Sequence, residues 1–419
     1  MRIPGVFSFP LLLISGLFLF FGDTLLMAQN TEASQEGYIT ALSVSGLKRT
    51  KRSTAEKPLR QFIGREAAQV DPDEVRAVIL ATGILEPLSV EIADGILSVE
   101  VREKWAIFPI PVVMAGSGGM MGGLAFFDAN AFGLNDKFFL AGMYHSNGWM
   151  ASAGYIHSSP GGRIPGWNGI SAFTREERYD RDQNNEDLRW FDLDSISLSA
   201  GLNFPLLKDS DLLSASTSVS YNQKILRNQE QAFNGPDDGL RLFGLGGEIS
   251  LRRNTWDGIF LSQEGASLRY SYRMAMDGFS FQSLRFRGTW EKSIVPGFRF
   301  TSQTGIVFEP QAPVLFESSP SAAQVAILPR YFSAQNYAGV SGGLEKSIVK
   351  MSVGVLSLAA AYQVVFSKGS VLGDSLDHGV VGMLTFYLSR VAIPALGLGA
   401  AYNVDKNYLQ GSFSLGMSF

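Results

Sequence analysis

The sequence has no cysteine, which excludes disulfides, thiolate metal sites, thiol nucleophiles and lipid attachment through a thiol. Charge is scarce as well: Asp, Glu, Lys and Arg make up 18% of the 419 residues, below the roughly 25% of soluble domains. With 35 basic and 39 acidic residues the formal charge is −4, so no basic footprint exists for nucleic acid. Beyond the N-terminus no apolar run reaches the ~18 residues of a membrane helix. What is abundant is one-sided too. There are 45 glycines and 30 phenylalanines, glycine standing well above its usual ~7%. The mean hydropathy of +0.09 is high for a soluble enzyme and low for a bundle of membrane helices. Such a composition implies strands with one greasy face.

The first residues, MRIPGVFSFPLLLISGLFLFFGDTLLMAQN, place Arg2 before an apolar stretch from Phe7 to Phe21. Leu26 and Ala28 then offer a small-residue cleavage site, the pattern of a secretory signal peptide over 1–28. A single membrane anchor is the alternative, but no basic stop-transfer cluster follows.

Residues 36–104 carry a different pattern. Tyr38–Gly46 alternates apolar and polar residues, which predicts a strand with Ile39, Leu42 and Val44 inward. A helix begun by Ser53 or Thr54 and stopped near Gly64 follows. A second helix is capped by Asp71, has Pro72 at its first position and Glu74 in a capping box, and ends before Gly83. Its apolar stripe is Val75, Val78 and Ile79. PLSVEIA and GILSVEVRE then form a hairpin at Asp94-Gly95. The expected order is β-α-α-β-β.

From Trp105 the helical signals stop. Roughly sixteen segments with period-2 alternation follow, separated by Gly, Pro, Asn and Asp clusters, and each can supply a ~9–11-residue membrane strand. The connections near Glu176, Arg227, Pro310 and Lys368 are long or polar, while those near Lys292 and Arg390 are short, as in a membrane barrel. At the C-terminus Phe413, Leu415, Met417 and Phe419 alternate to an aromatic end. Pro109 and Pro111 fall in the first of these strands, near Ala106–Met114. Proline cannot donate a ladder hydrogen bond and belongs at an edge.

Several motifs carry a family resemblance. Val44–Lys51 (V-x-G-L-K-R-T-K), Thr82–Val90 and Leu97–Lys104 resemble a POTRA domain. FFDANAFGLNDKFFL (Phe126–Leu140) is similar to the "D-x-N-x-F-G" turn of the BamA/TamA family of outer-membrane assembly proteins, the bacterial surface antigen family. RNTWDGIFLSQEGASL (Arg253–Leu268), with Asp257 and Gly265, is similar to its "D-x-R-D … G" turn. The segment Pro310–Tyr337 lies where that family has its sixth extracellular loop, and Leu328–Phe332 (LPRYF) aligns with its VRGY/F motif. The resemblance implies a loop folded into the lumen, with Arg330, Tyr331 and Phe332 as its motif and Glu345 as the partner of Arg330. Two departures are visible: Tyr331 replaces the motif glycine, and LAAAYQVV lacks the second carboxylate. The C-terminal alternation resembles the signal by which outer-membrane barrels are recognised.

The implied fold class is mainly β, with a POTRA-like α+β periplasmic domain (36–104) and a transmembrane antiparallel β-barrel of about 16 strands (105–419) in the cell outer membrane. The implied function is non-enzymatic assembly or insertion of outer-membrane proteins, through that domain and a weak seam between the first strand and the last (Gln410–Phe419). Partners would be outer-membrane lipids and unfolded outer-membrane or secreted client proteins, with periplasmic accessory proteins left open. No nucleic acid, cofactor or metal is expected. A two-partner-type secretion pore and a surface antigen or structural barrel without transport are the alternatives.

One segment resembles an enzyme motif. Tyr144–Trp149 (YHSNGW) is similar to the H-x-S-N-G motif of outer-membrane phospholipases, but His145 and Ser146 are adjacent and would face opposite sides of a strand. Base and nucleophile would not converge, so a turn at Asn147-Gly148 is expected. His157 and His378 have no metal-spaced partner, and neither a Walker loop nor a nucleophile elbow is present. The charged run Thr174–Arg189 reads as a solvated extracellular loop.

Overall fold

The computed structural model describes residues 37–116, 119–145, 148–157, 165–181, 187–207, 210–230, 239–276, 278–329, 332–370, 373–391 and 395–415. The signal-like segment, Ser146, Arg330, Tyr331, Met417 and Phe419 lie outside them.

The small domain contains β1 (Ala41–Ser45), α1 (Arg52–Glu56), a 3-10 turn (Lys57–Phe62), α2 (Pro72–Ala81), β2 (Leu85–Ala93) and β3 (Ile96–Glu103). The first helix is shorter than its sequence suggested, because Pro58 starts the tighter 3-10 turn. In α2 the Asp71 side chain accepts the Asp73 N–H at 2.9 Å, as a cap should. Glu74 closes no capping box; the Arg65 guanidinium holds it at 2.9 Å, a charged donor prevailing over a backbone N–H. Asp94 and Gly95 both take positive φ, 52° and 72°, which identifies the tight hairpin turn. The strands pair in the order β1-β3-β2, with β1 parallel to β3. Ile39, Leu59, Phe62, Ile79, Leu85 and Leu97 are fully buried between sheet and helices.

The remaining strands are β4 (Ile107–Gly116), β5 (Gly119–Ala131), β6 (Asp136–His145), β7 (Gly148–His157), β8 (Gly166–Arg181), β9 (Asp187–Leu207), β10 (Ser210–Glu230) and β11 (Leu240–Trp256). They continue with β12 (Leu261–Ala275), β13 (Ser280–Val295), β14 (Phe298–Phe308), β15 (Asn336–Met351), β16 (Gly354–Lys368), β17 (Ser375–Leu388), β18 (Ala395–Asn403) and β19 (Tyr408–Leu415). They form one 16-stranded antiparallel sheet in chain order. The alternation seen in the sequence becomes two faces. Leu124, Leu140, Leu245, Leu344, Leu358 and Leu398 stay exposed on one, an apolar outer wall. The other face carries serine, glycine and charge, and encloses the segment 309–335.

β4 starts beside the small domain and β19 returns to the same end. Connections at that end include the tight turns before Asp136 and Phe298, while the opposite, far end bears the longest one, between β14 and β15. The charged run Thr174–Arg189 is not simply a loop: β8 extends to Arg181 and β9 resumes at Asp187. The reason is length. Strands β8 to β11 have 16, 21, 21 and 17 residues, about twice the ~9–11 that hydrocarbon requires. The sheet therefore continues into water, where polar side chains suit both faces.

Candidate functional site at the seam, the lumen loop and the domain joint

The seam lies between β4 and β19, which run alongside each other, yet no ladder joins them among the described residues. Backbone parity explains part of this. Ala129 N–H donates to Ala106 O at 2.8 Å, so Ala106 points its backbone groups toward β5. The β4–β5 register runs without a bulge, and even-numbered residues therefore bond to β5. Odd-numbered residues face the seam, among them Pro109 and Pro111, whose ring nitrogens have no hydrogen to offer. Trp105 obeys the same parity: its N–H donates at 3.0 Å to Arg390 O in the β17–β18 connection. On the other side of the seam, Phe413 and Leu415 pair with Leu398 and Leu396 of β18.

The loop 309–335 is folded into the lumen and tied to the strands that approach the seam. Val325, Ile327, Leu328 and Phe332 are buried against Tyr337, Val365 and Ala401. In β19, Gln410 Nε2 donates to Leu328 O at 3.0 Å and also to Ala326 O. In β16, Gln363 Oε1 accepts the Ala326 N–H at 2.7 Å. At the loop's start, Glu309 is fully buried and takes Arg285 at 2.6 Å together with the hydroxyls of Ser283 and Ser318. Phe332, one of the expected motif residues, stacks edge-on to Tyr337 with 6.2 Å between centroids. Its neighbours Arg330 and Tyr331 lie outside the described residues.

Glu345 has a cation partner in the barrel wall, while Arg330, the partner the resemblance implied, lies outside the described residues. Arg299 faces it directly across the β14–β15 ladder, and its Nη2 reaches Glu345 Oε2 at 2.7 Å. The second oxygen accepts Ser357 Oγ at 2.5 Å and Tyr387 Oη at 2.8 Å. Arg299 also meets Glu291 at 2.8 Å and Leu261 O at 3.3 Å, and lies 4.7 Å from the centre of the Phe260 ring. Glu345 sits toward the small-domain end, roughly 30 Å along the strand from Asn336, where the loop returns.

The two turn motifs meet the small domain or brace the wall. The Glu103 carboxylate accepts the N–H groups of Lys48, Arg49 and Thr50 at 2.8, 3.0 and 2.7 Å, fixing the G-L-K-R-T segment. Burial tends to raise its pKa, but these backbone donors outweigh it and hold the carboxyl below its ordinary value. Arg49, so placed, forks onto Asp128 at 2.6 and 3.1 Å, and Asn130 donates to Thr50 Oγ1 at 2.9 Å. Gly133 has φ 71°, and a Cβ there would stand 2.2 Å from Arg49 O, so only glycine fits. The "D-x-N-x-F-G" residues thus form a socket for the small domain. Its helix α2 lies against β11 and β12, and Val391 of the β17–β18 connection packs on its core. In the second motif Asp257 accepts the Ile259 and Phe260 N–H groups at 2.8 and 2.6 Å, shaping the turn before β12, while Gly265 lies inside β12.

Of the phospholipase-like motif, Ser146 and Asn147 lie outside the described residues. β6 ends at His145 and β7 begins at Gly148, which pair as the two sides of a turn. His157 contacts Asp136 at 2.8 Å, shared with Tyr155. No group of His, Asp or Glu placed to hold a metal occurs among the described residues.

No protein-family model matches the chain, and no curated protein matches it. Solved structures do. The chain is similar to BamA from Haemophilus ducreyi lacking POTRA domains 1-3, with a TM-score of 0.52 and 14% identity over 91% of this chain and 86% of that one. It is similar to CdiB from Escherichia coli, with a TM-score of 0.60 and 10% identity over 91% and 76%. CdiB from Acinetobacter baumannii gives 0.54 and 13% over 90% and 73%. At such identities the likeness is one of fold, and the resemblance read from the motifs holds at that level.

Proposed function

We infer that a chain with the barrel fold of BamA and CdiB is an outer-membrane protein that passes polypeptide into or across the bilayer. Within that class we assign it as a non-enzymatic insertion factor. The observation that carries this reading is the seam: Pro109 and Pro111 remove two donors from the edge of β4 that faces β19. Each ladder bond contributes about 0.5–1.5 kcal/mol net, so closure is weakened by roughly 1–3 kcal/mol. An incoming strand with a full set of N–H groups pairs with β19 better than β4 does. β19 then templates the client while the barrel opens sideways. The small domain, on the periplasmic side, leaves edges on β1 and β2 where an extended client segment can add a strand.

A cysteine-free chain makes the test clean. One cysteine is placed in β4 and one in β19, and the protein is reconstituted into vesicles with an unfolded outer-membrane barrel as client. Insertion stops when the pair is oxidised and resumes on reduction; insertion that continues through a closed seam refutes the assignment.

A second reading is a secretion pore, favoured by the loop that fills part of the lumen and by the likeness to CdiB. Depletion followed by an outer-membrane proteome separates the two. Broad loss of barrels supports insertion, whereas loss of one exported protein supports secretion.

A further inference from the structure

The lumen is not filled evenly. The loop's main cluster lies against β14 to β18, whereas the inner face of β9 to β13 carries small polar residues and arginine. Ser197, Ser199, Ser216, Ser218 and Ser220 share that face, and it continues through Glu248 into β12 and β13 by direct cross-strand register. Glu248, Arg269 and Arg285 form one row across three strands and end at Val307; Arg287 leads to Gly305 in the next. Both ends identify the face as lumenal. Val307 is buried in the loop's cluster, and a Cβ on Gly305 would stand 2.0 Å from Ala323 O of the loop. Arg273 belongs to the same face, opposite Gly244 and Phe281.

Positive charge is in excess here. Arg269 is paired with Glu248 at 2.6 Å and Arg285 with Glu309 at 2.6 Å, while Glu291 is taken by Arg299. Arg273 lies over the Phe281 ring at 5.4 Å and Arg287 reaches Ala322 O at 3.3 Å. Neither has a carboxylate at ion-pair distance among the described residues. The space is also wet: the Arg269 side chain is 55% exposed although it points into the barrel. At the far end the compartment is roofed by Leu315 and Phe316, which pack on Phe191, Leu193, Leu242 and Phe281.

We propose that the lumen along β9–β13 is a conduit for small inorganic anions, gated at the far end by Leu315 and Phe316. A solvent-accessible passage with low-dielectric walls, in which the Arg273 and Arg287 guanidinium groups have no carboxylate at ion-pair distance among the described residues, concentrates anions and repels cations. The conduit is independent of whether the protein inserts or secretes polypeptide.

The full chain in a planar bilayer under a potassium chloride gradient provides the test. The expected reversal potential lies toward that of chloride, with anions preferred several-fold. Arg273→Gln with Arg287→Gln lowers that preference and Arg273→Glu with Arg287→Glu inverts it. Phe316→Ala increases open time and leaves selectivity alone. The glutamine pair keeps the test valid where the glutamate pair does not fold. Cation preference in the unmodified chain overturns the proposal, as does selectivity untouched by the glutamine pair, or no conductance even with Phe316→Ala.

Discussion

Arg299 is 2% exposed and sits with two glutamates, a tyrosine and an aromatic face at the small-domain end of the barrel. Such a cluster need not add much net stability, but removing one member leaves the others charged and unpaired. Arg299→Ala is expected to cost about 3–5 kcal/mol, read as a shift in the urea midpoint for unfolding from vesicles. Replacing Glu345 as well should recover part of that loss, because fewer charges are then stranded. Glu103 gives a prediction with a pH sign. Its folded pKa lies below its ordinary 4.5, so its contribution is complete above that value and lost as pH falls through the folded pKa. Hydrogen-exchange protection at residues 48–50, taken relative to the intrinsic rate at each pH, should fall as acid is added. In Glu103→Gln that protection should already be reduced at neutral pH, because the charged acceptor is gone, and should not change further as acid is added. Gly133→Ala should loosen the same joint, seen as faster proteolysis between the small domain and β4.

At the scale of the element, β4 is a strand whose two edges differ. Its even residues satisfy β5, and its odd residues include the prolines. Replacing both prolines by valine restores two donors toward β19. The closed barrel is then expected to gain roughly 1–3 kcal/mol, raising its melting temperature while slowing client insertion. The prolines, the strand count and the place of the long loop were all legible in the sequence, because period-2 alternation and proline's missing hydrogen are local properties. The Arg299 cluster was not. Its members come from β13, β14, β15, β16 and β17, and only the register brings them together; in FRFTSQ the arginine looks like any polar strand residue. Glu345 was legible as a lumenal acid, but the identity of its cation depended on which arginine the ladder set opposite it. The charged run Thr174–Arg189 misled for another reason: a strand standing in water has the composition of a loop. The socket at Asp128, Asn130 and Gly133 was visible as a motif, yet nothing local says that it fits G-L-K-R-T some eighty residues earlier.

The whole barrel has a tall side and a short one. β6 and β7 have 10 residues each, about the length that spans hydrocarbon, and Leu398 of β18 is exposed on the same outer face. Leu398→Arg is therefore expected to cost about 2–4 kcal/mol in a folding titration from urea into vesicles. The tall side, β8 to β11, rises well beyond the bilayer and is polar at its top, carrying Arg175, Asp194 and Arg227 in one ion-pair network. In the proposed orientation that crown is what phages, antibodies and neighbouring cells meet first. Natural versions of this protein should therefore diverge fastest at residues 174–194 and 225–230, while the seam and the socket, hidden from such pressure, keep their residues.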